Sequence, residues 1–386
     1  MKVKVQKSLL SEAINIVGKA VSSSSTLEVL QGILIQVKGN GLLFTGYNNQ
    51  FAFIHEIPLS SEAADLVIET EGSIILPARY FSQIVTNLRG NVIEIEQKDG
   101  YQVIISSELP AKKGKKAATS RHDLSGLDPS KYPVLPLVEQ SESLKVHTNI
   151  LKNMVKSTII SIATSETRPI LMGVKFEYDS QKLKMVATDS HRLSQHVYAI
   201  SADVEPFEIV VPGSSLKELV KVLHEDSEAD ICTNGQYMSV LNGNTTFITR
   251  LLEGQYPDTN RIIPTNFNTE ITVNPKEIID AVKSCDIFRE DGKTVITLNS
   301  IKEDGVVTLT SASNQVGKAE EVLYTDRIDG IDIKLSFNAK YVLEALNVLD
   351  EAKKPIDLSF SGNMHPFTLR TQGNGDILQL VLPIRK

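Results

Sequence analysis

Residues 273–282 read VNPKEIIDAV. A valine ends a strand-like run. Asn274 and Pro275 follow, and they open helices well: Asn caps free amides, and Pro suits the first turn. Ile278, Ala281 and Val282 then fall on one helical face. The same ten-residue pattern begins at Val5 (VQKSLLSEAI), Leu76 (LPARYFSQIV), Val146 (VHTNILKNMV), Val211 (VPGSSLKELV) and Phe337 (FNAKYVLEAL). The six starts lie 71, 70, 65, 62 and 64 residues apart, and the sixth, ninth and tenth positions are apolar in every copy. Between copies lie alternating runs with Asn-Gly, Asp-Gly or Gly-Asn turns, such as NVIEIEQKDGYQVIISS from Asn91. That is hairpin chemistry. The unit is one helix plus about four strands, used six times. Two matched linkers, KYPVLPLVEQSESLKV (131–146) and QYPDTNRIIPTNFNTEITV (255–273), pair the units. The expected fold is α+β, with three similar domains of two repeats each, at 1–126, 137–257 and 262–386.

The bulk numbers fit several domains. The chain has 386 residues, of which 41% are apolar, enough for sizeable cores. Its two cysteines, Cys232 and Cys285, stand far apart without a CxxC pair. No disulfide framework is implied, which points to the cytoplasm. No apolar run is long enough to span a membrane, so no membrane partner is expected. The net charge of −7 and the 6% aromatic content, with no tryptophan, exclude a generic nucleic-acid coat and a base-stacking platform.

Charge is nevertheless segregated. The helix positions opposite the apolar face are the fourth, seventh and eleventh of each copy. They include Arg79, Lys152, Lys156, Lys217, Lys221, Lys276, Lys283 and Lys340 and no Asp or Glu. A solvated face normally mixes signs. Six such helices lining one surface would present cations that meet phosphates without reading bases. A further basic run, KKGKK at 112–116, reads as a flexible loop.

KMVATDSHRL, residues 184–193, sets Asp189, Ser190 and His191 side by side, the residue types of a hydrolase triad. Continued as a strand, it would point Asp189 and His191 to one face and Ser190 to the other, and no Gly-x-Ser-x-Gly elbow is present. Aligning the repeats sets Asn48, Ser190 and Ser313 level, then Asn49, His191 and Asn314, then Gln50, Arg192 and Gln315. All three domains thus make one polar corner, and only the middle one carries His-Arg-Leu. The corner reads as structural, adapted once for binding. The seven histidines show no HxH or HxxxH pairing, so no metal site is expected. No phosphate-loop or dinucleotide motif appears, so no cofactor is expected either. The chain reads as a non-enzyme without catalytic residues.

The repeat, together with TRPILMGV (167–174), ATDSHRL (187–193), YPDTNRIIP (256–264) and the terminal LPIRK, resembles the bacterial DNA polymerase III beta subunit family, the sliding clamps. The likeness covers essentially the whole chain. It implies a head-to-tail dimeric ring with helices inside and sheets outside, which encircles duplex DNA without sequence specificity. Such a ring tethers the replicative DNA polymerase, the clamp loader, and mismatch-repair and translesion proteins that carry clamp-binding motifs. The resemblance also implies a peptide pocket. Its residues would be Arg168, Leu171, Thr188, Ser190, His191, Arg192 and Leu193 from the middle domain, and Pro257, Arg261 and Ile262 from the linker. Leu380, Leu382, Pro383, Ile384 and Arg385 would come from the tail. The alternative is a repeat-built peptide-binding scaffold that does not encircle DNA.

Overall fold

The computed structural model describes residues 1–59, 66–109, 118–136, 138, 142–288, 294–313 and 315–385. Six β-α-β-β-β runs follow one another. The first is β1 (Lys2–Gln6), α1 (Lys7–Val17), β2 (Gly32–Lys38), β3 (Gly41–Tyr47) and β4 (Phe51–Pro58), with an added strand β5 (Leu66–Thr70). The second is β6 (Gly72–Pro77), α2 (Ala78–Asn87), β7 (Val92–Gln97), β8 (Gln102–Leu109) and β9 (Ala118–Ser125). The third is β10 (Leu144–His147), α3 (Thr148–Ile159), β11 (Gly173–Tyr178), β12 (Lys182–Thr188) and β13 (Arg192–Ala199). The fourth is β14 (Phe207–Pro212), α4 (Gly213–Leu219), β15 (Glu228–Thr233), β16 (Tyr237–Asn242) and β17 (Thr245–Arg250). The fifth is β18 (Thr269–Val273), α5 (Pro275–Cys285), β19 (Val295–Ile301), β20 (Val306–Ser313) and β21 (Gly317–Tyr324), with an added β22 (Arg327–Gly330). The sixth is β23 (Lys334–Asn338), α6 (Ala339–Asp350), β24 (Ile356–Phe360), β25 (Phe367–Thr371) and β26 (Ile377–Val381). The helix openers act as their chemistry dictates: Asn274 Oδ1 accepts the amide of Lys276 at 3.0 Å, and Asn338 Oδ1 that of Lys340 at 3.0 Å.

The chain divides into two compact units, Met1–Asn149 with Lys217–Leu251, and Ile150–Leu216 with Leu252–Lys386. The first contains a five-stranded sheet, β5-β1-β7-β8-β9, and an eight-stranded sheet, β10-β15-β16-β17-β4-β3-β2-β6. Helix α1 packs on α2 and on strands of both sheets, burying Leu10, Ala13 and Ile14. The second unit contains a nine-stranded sheet, β14-β11-β12-β13-β26-β25-β24-β18-β22, and a four-stranded sheet, β21-β20-β19-β23. Its core joins Ile278, Val282 and Cys285 of α5 and Val342, Ala345 and Leu346 of α6 to strands of both sheets, such as Ile296, Leu309, Leu358 and Leu369.

Each long sheet is two four-stranded halves fused at one antiparallel joint, with β22 added at an edge of the second. In the first unit β17 joins β4, with Thr249 opposite Phe51 and Thr245 opposite His55. In the second β26 joins β13, with Val381 opposite Arg192 and Ile377 opposite His196. Each joint therefore links the last strand of an even-numbered repeat to the fourth strand of an odd-numbered one.

Candidate functional site

The Asp-Ser-His stretch is a turn. Strand β12 stops at Thr188, and Ser190 has φ +75°, so the strand alternation expected for these residues does not apply. Asp189 Oδ1 accepts the amides of His191 (2.9 Å) and Arg192 (3.0 Å). A short carboxylate thus does what a backbone carbonyl does in a tight hairpin. Its other oxygen takes Arg192 Nε at 3.0 Å. Asn48 forms the same cap with the amides of Gln50 (3.0 Å) and Phe51 (2.9 Å), and Asn49 has φ +71°. The true counterpart of Asp189 is therefore Asn48. The alignment expected from sequence was one residue out of register, because it matched Ser190 to Asn48 by polarity. Asn314, aligned from sequence with Asn49 and His191, and KKGKK at 112–116 lie outside the described residues.

Arg192 is the best-anchored cation of the corner. Besides Asp189, its Nη1 donates to Glu344 Oε2, and its guanidinium carbon lies 4.4 Å from the Tyr341 ring centroid. His191 is exposed and stacks on the same tyrosine at 6.4 Å between centroids and an interplanar angle of 20°. The arginine stiffens the platform, since two carboxylates and an aromatic face fix its plane. The imidazole faces an aromatic ring and both Asp189 oxygens are occupied, so the trio forms no nucleophile-base relay.

Around this platform the tail and linker form walls. Leu193 and Leu380 are opposed across the joint and pack with Val186 and Leu378, and Ile263 and Leu382 close over them. The amide of Leu382 donates to His191 O (2.9 Å), and that of Ile384 to Ser336 O (2.7 Å). These two bonds pin the tail on both sides, with Pro383 half-buried between them and Arg385 exposed. Leu171 sits in a neighbouring cluster with Val210 and Tyr256. Tyr256 Oη accepts the Thr188 amide at 3.1 Å, and Thr188 Oγ1 donates to Arg192 O at 2.7 Å. Burial pushes the Tyr256 phenol well above its ordinary range, so the hydroxyl stays neutral. In the linker Pro257 is half-buried, Ile262 is exposed, and Arg261 Nε reaches Asp258 at 3.0 Å. Arg168 is exposed just before Leu171. The arrangement offers apolar walls, one aromatic-cation platform and exposed cations at the rim, which suits an extended peptide with apolar anchors.

Sequence reasoning missed Tyr341, Glu344 and Ile263. The first two lie on α6, between positions whose periodicity marked them only as flanks of an amphipathic helix. Their role depends on the β13·β26 joint, which brings residues 192 and 344 together.

Seven of the eight basic positions lie on helices. Arg79, Lys156, Lys217, Lys276, Lys283 and Lys340 are exposed, and Lys152 is half-buried. Lys221 is not helical: α4 ends at Leu219, and Lys221 lies in the turn beyond it, its Nζ 2.7 Å from Glu218. Ile279, on the same expected face, is buried in the core. Exposed Glu12, Glu277 and Asp280 flank these faces, so the cationic stripe is narrow.

Three family models match in order. They are the DNA polymerase III beta subunit N-terminal domain over residues 1–136, its central domain over 145–258, and its C-terminal domain over 260–385. The chain is 38% identical to the beta sliding clamp of Bacillus subtilis (strain 168) over 388 residues, covering all of both proteins. It is 34% identical to that of Staphylococcus aureus (strain N315) over 95% of this chain and 94% of the relative. Among solved structures, the DNA polymerase sliding clamp of Bacillus subtilis superposes with a TM-score of 0.93 at 37% identity, covering 100% of this chain and 99% of that one. The DNA polymerase III beta chain of Streptococcus pneumoniae gives 0.91 at 32% identity, with both chains fully covered.

Proposed function

This chain belongs to the DNA polymerase III beta subunit family, and from that premise we propose that two copies close head to tail into a ring around duplex DNA. Family membership makes the chain a sliding clamp, a processivity factor of DNA replication that works with DNA and polymerase. The observation that carries the ring is the accounting of strand edges. Two joints, β17·β4 and β26·β13, use up four of the six fourth strands. The two left over are β9, from an even-numbered repeat, and β21, from an odd-numbered one, each the edge of a shorter sheet. A second copy supplies the missing joint twice and closes the cycle, which removes both edges. Exposed Val322 (55%) and Tyr324 (79%) on β21 fit an edge meant to be covered.

In that ring the three clamp domains, 1–126, 137–257 and 262–386, supply six helices per copy, and the exposed cations face the phosphates. Lys and Arg without base contacts give weak, salt-sensitive, sequence-independent attraction, which suits sliding. The His191–Arg192–Tyr341 platform, with Leu171, Leu193, Leu380 and Leu382, is the docking site for peptide motifs of the replicative polymerase, the clamp loader, and repair and translesion proteins. The ring works by tethering rather than by chemistry: it raises the effective concentration of polymerase at the primer end. The place of work is the cytoplasm.

The test is topological. The protein is loaded with a bacterial clamp loader and ATP onto nicked circular plasmid. Half the sample is then cut with a restriction enzyme. Retention on circles and loss from linear DNA is the expected result. Equal retention on both would refute encirclement and leave a contact-binding scaffold.

A further inference from the structure

The two internal joints predict the register of the third. Ser157 and Ser284 are each the twelfth residue of their repeat copies. Ser157 Oγ meets His196 Nδ1 at 2.8 Å on β13, and Ser284 Oγ donates to Glu321 Oε1 at 2.6 Å on β21. Glu321 is thus the counterpart of His196, and also of His55, which faces Thr245 Oγ1 at 2.9 Å in the other joint. On the opposing strand, the Gly126 amide donates to Tyr101 O, as Leu251 does to Gln236 O. This makes Leu124 the counterpart of Thr249 and Ser120 that of Thr245. Pairing β9 with β21 of a second copy in this register sets Ser120 opposite Glu321, and His122 opposite Ala319. It also sets Arg121 opposite Glu320 and Asp123 opposite Lys318. Both outward-facing pairs are then oppositely charged, which was not used to derive the register.

We infer that Glu321 sets the opening tendency of the ring: closing the third joint desolvates a carboxylate at the position where both internal joints bury an imidazole. His55 and His196 are each only 7% exposed, so this column is shielded once the joint forms. Burial lowers the pKa of both histidines, which keeps them neutral at neutral pH. Glu321 is half-buried in the single chain and forms no ion pair with the described residues. Its neutral donors in the closed joint are Ser284 and Ser120, because Arg121 and Lys318 point to the opposite face. His122 of the second copy, diagonal on the same face, is the one titratable group of β9 nearby. A desolvated carboxylate with two hydroxyl donors holds the joint less tightly than a neutral side chain would. The ring is then weakest at its two joints between copies, one of which must part to admit DNA.

This inference rests on the ring reading. Its test is the Glu321→Gln protein, which keeps the Ser284 bond and removes the charge. The dimer dissociation constant, from dilution light scattering, is expected to fall about tenfold, equivalent to about 1.4 kcal/mol. The half-life on nicked circular DNA should lengthen in step. Ser284→Ala, which strips a donor from the carboxylate, is expected to weaken the dimer by threefold or more. A dimer unchanged or weakened by Glu321→Gln, while wild type still closes on circles, overturns the role of Glu321 and leaves the ring intact. A wild-type protein that stays monomeric at every concentration overturns both. Should Glu321→Gln misfold, Ser284→Ala decides alone: a weaker dimer supports the inference, an unchanged one refutes it.

Discussion

The register of the third joint can be tested by exchanging charges across it. Arg121 and Glu320 are predicted to face each other between copies. Replacing Arg121 by Glu turns that attraction into like-charge repulsion. A directly opposed cross-strand charge pair contributes about 0.2–1 kcal/mol, and its reversal costs a similar amount. The swing is about 1 kcal/mol per joint, and a closed ring has two joints. Arg121 already pairs with Asp123 on its own strand at 3.1 Å, with both side chains more than half exposed, so the value belongs in the lower part of the range. Arg121→Glu should therefore raise the dimer dissociation constant by about thirtyfold, for about 2 kcal/mol. The double variant Arg121→Glu with Glu320→Arg should recover most of this. Subunit exchange between two fluorescently labelled populations reads both quantities. The control is Arg121→Glu with Glu321→Arg, which puts the new cation on the other face and should rescue nothing. If that control rescues and the 320 variant does not, the strands are paired one residue away and the symmetry derivation fails.

Three further outcomes follow from the site and its surroundings. Arg192→Ala leaves the Asp189 and Glu344 carboxylates without their shared cation and strips the Tyr341 face. It should cost about 2–4 kcal/mol of stability by thermal unfolding and abolish peptide binding in fluorescence anisotropy. An unchanged affinity would place the peptide elsewhere. His196 has a pKa lowered to about 4 by burial, against an ordinary value of 6.5. The neutral form belongs to the fold, so this stability is complete above pH 6.5 and is lost as pH falls toward 4. The loss should reach about 3 kcal/mol at most, and His196→Gln should flatten that part of the urea-midpoint profile. Replacing Lys217, Lys276 and Lys283 by Gln should reduce the salt dependence of DNA affinity by about 0.9 for each cation that neutralises a phosphate, while leaving peptide affinity unchanged. An unaltered slope would remove those helices from the DNA face.

What the sequence disclosed depends on how local each cause is. Six amphipathic helices were legible because their period, openers and turn residues all lie within ten or twenty residues of one another. The buried set Leu10, Ala13 and Ile14, repeated as Val342, Ala345 and Leu346, follows from that period alone. Helix ends were less legible. Lys221 continues the pattern of its copy, yet α4 stops at Leu219 and the chain turns, with Asn242 Oδ1 accepting the His224 amide at 2.8 Å beyond the turn. The added strands β5 and β22 were missed because they are connections that happen to pair with β1 and β18. In the candidate site, the residues contributed by one corner, one linker and one tail could be named. Glu344 could not, since its tie to Arg192 spans 152 residues and exists only once the joint has formed.

One position of the joint sets the middle corner, the proposed docking platform, apart from the other two. The strand after the turn opens with Phe51, Arg192 and Gly317 in the three odd-numbered repeats, three residues beyond Asn48 and Asp189 and four beyond Ser313. Phe51 is buried and packs against Phe53 and Phe247, with centroids 6.0 and 5.9 Å away, so the first joint is plugged by its own aromatic cluster. Gly317 has φ +150°, and a Cβ there would come within 3.1 Å of the Phe288 ring. No side chain projects there, and the edge stays clear for strand pairing. Only Arg192 is long and charged at this point. Burying it required carboxylates, and those carboxylates hold it flat on Tyr341 beside an exposed imidazole. The three positions therefore give a sealed joint, an open edge and the proposed binding platform. The difference lies in one side chain per repeat, and transplanting it tests the idea. Arg192→Phe should keep the turn, with Asp189 still capping it, while removing the cation from the platform. Peptide affinity should fall at least tenfold with the ring intact on circular DNA. Affinity that survives the exchange would show that the apolar walls alone recognise the peptide.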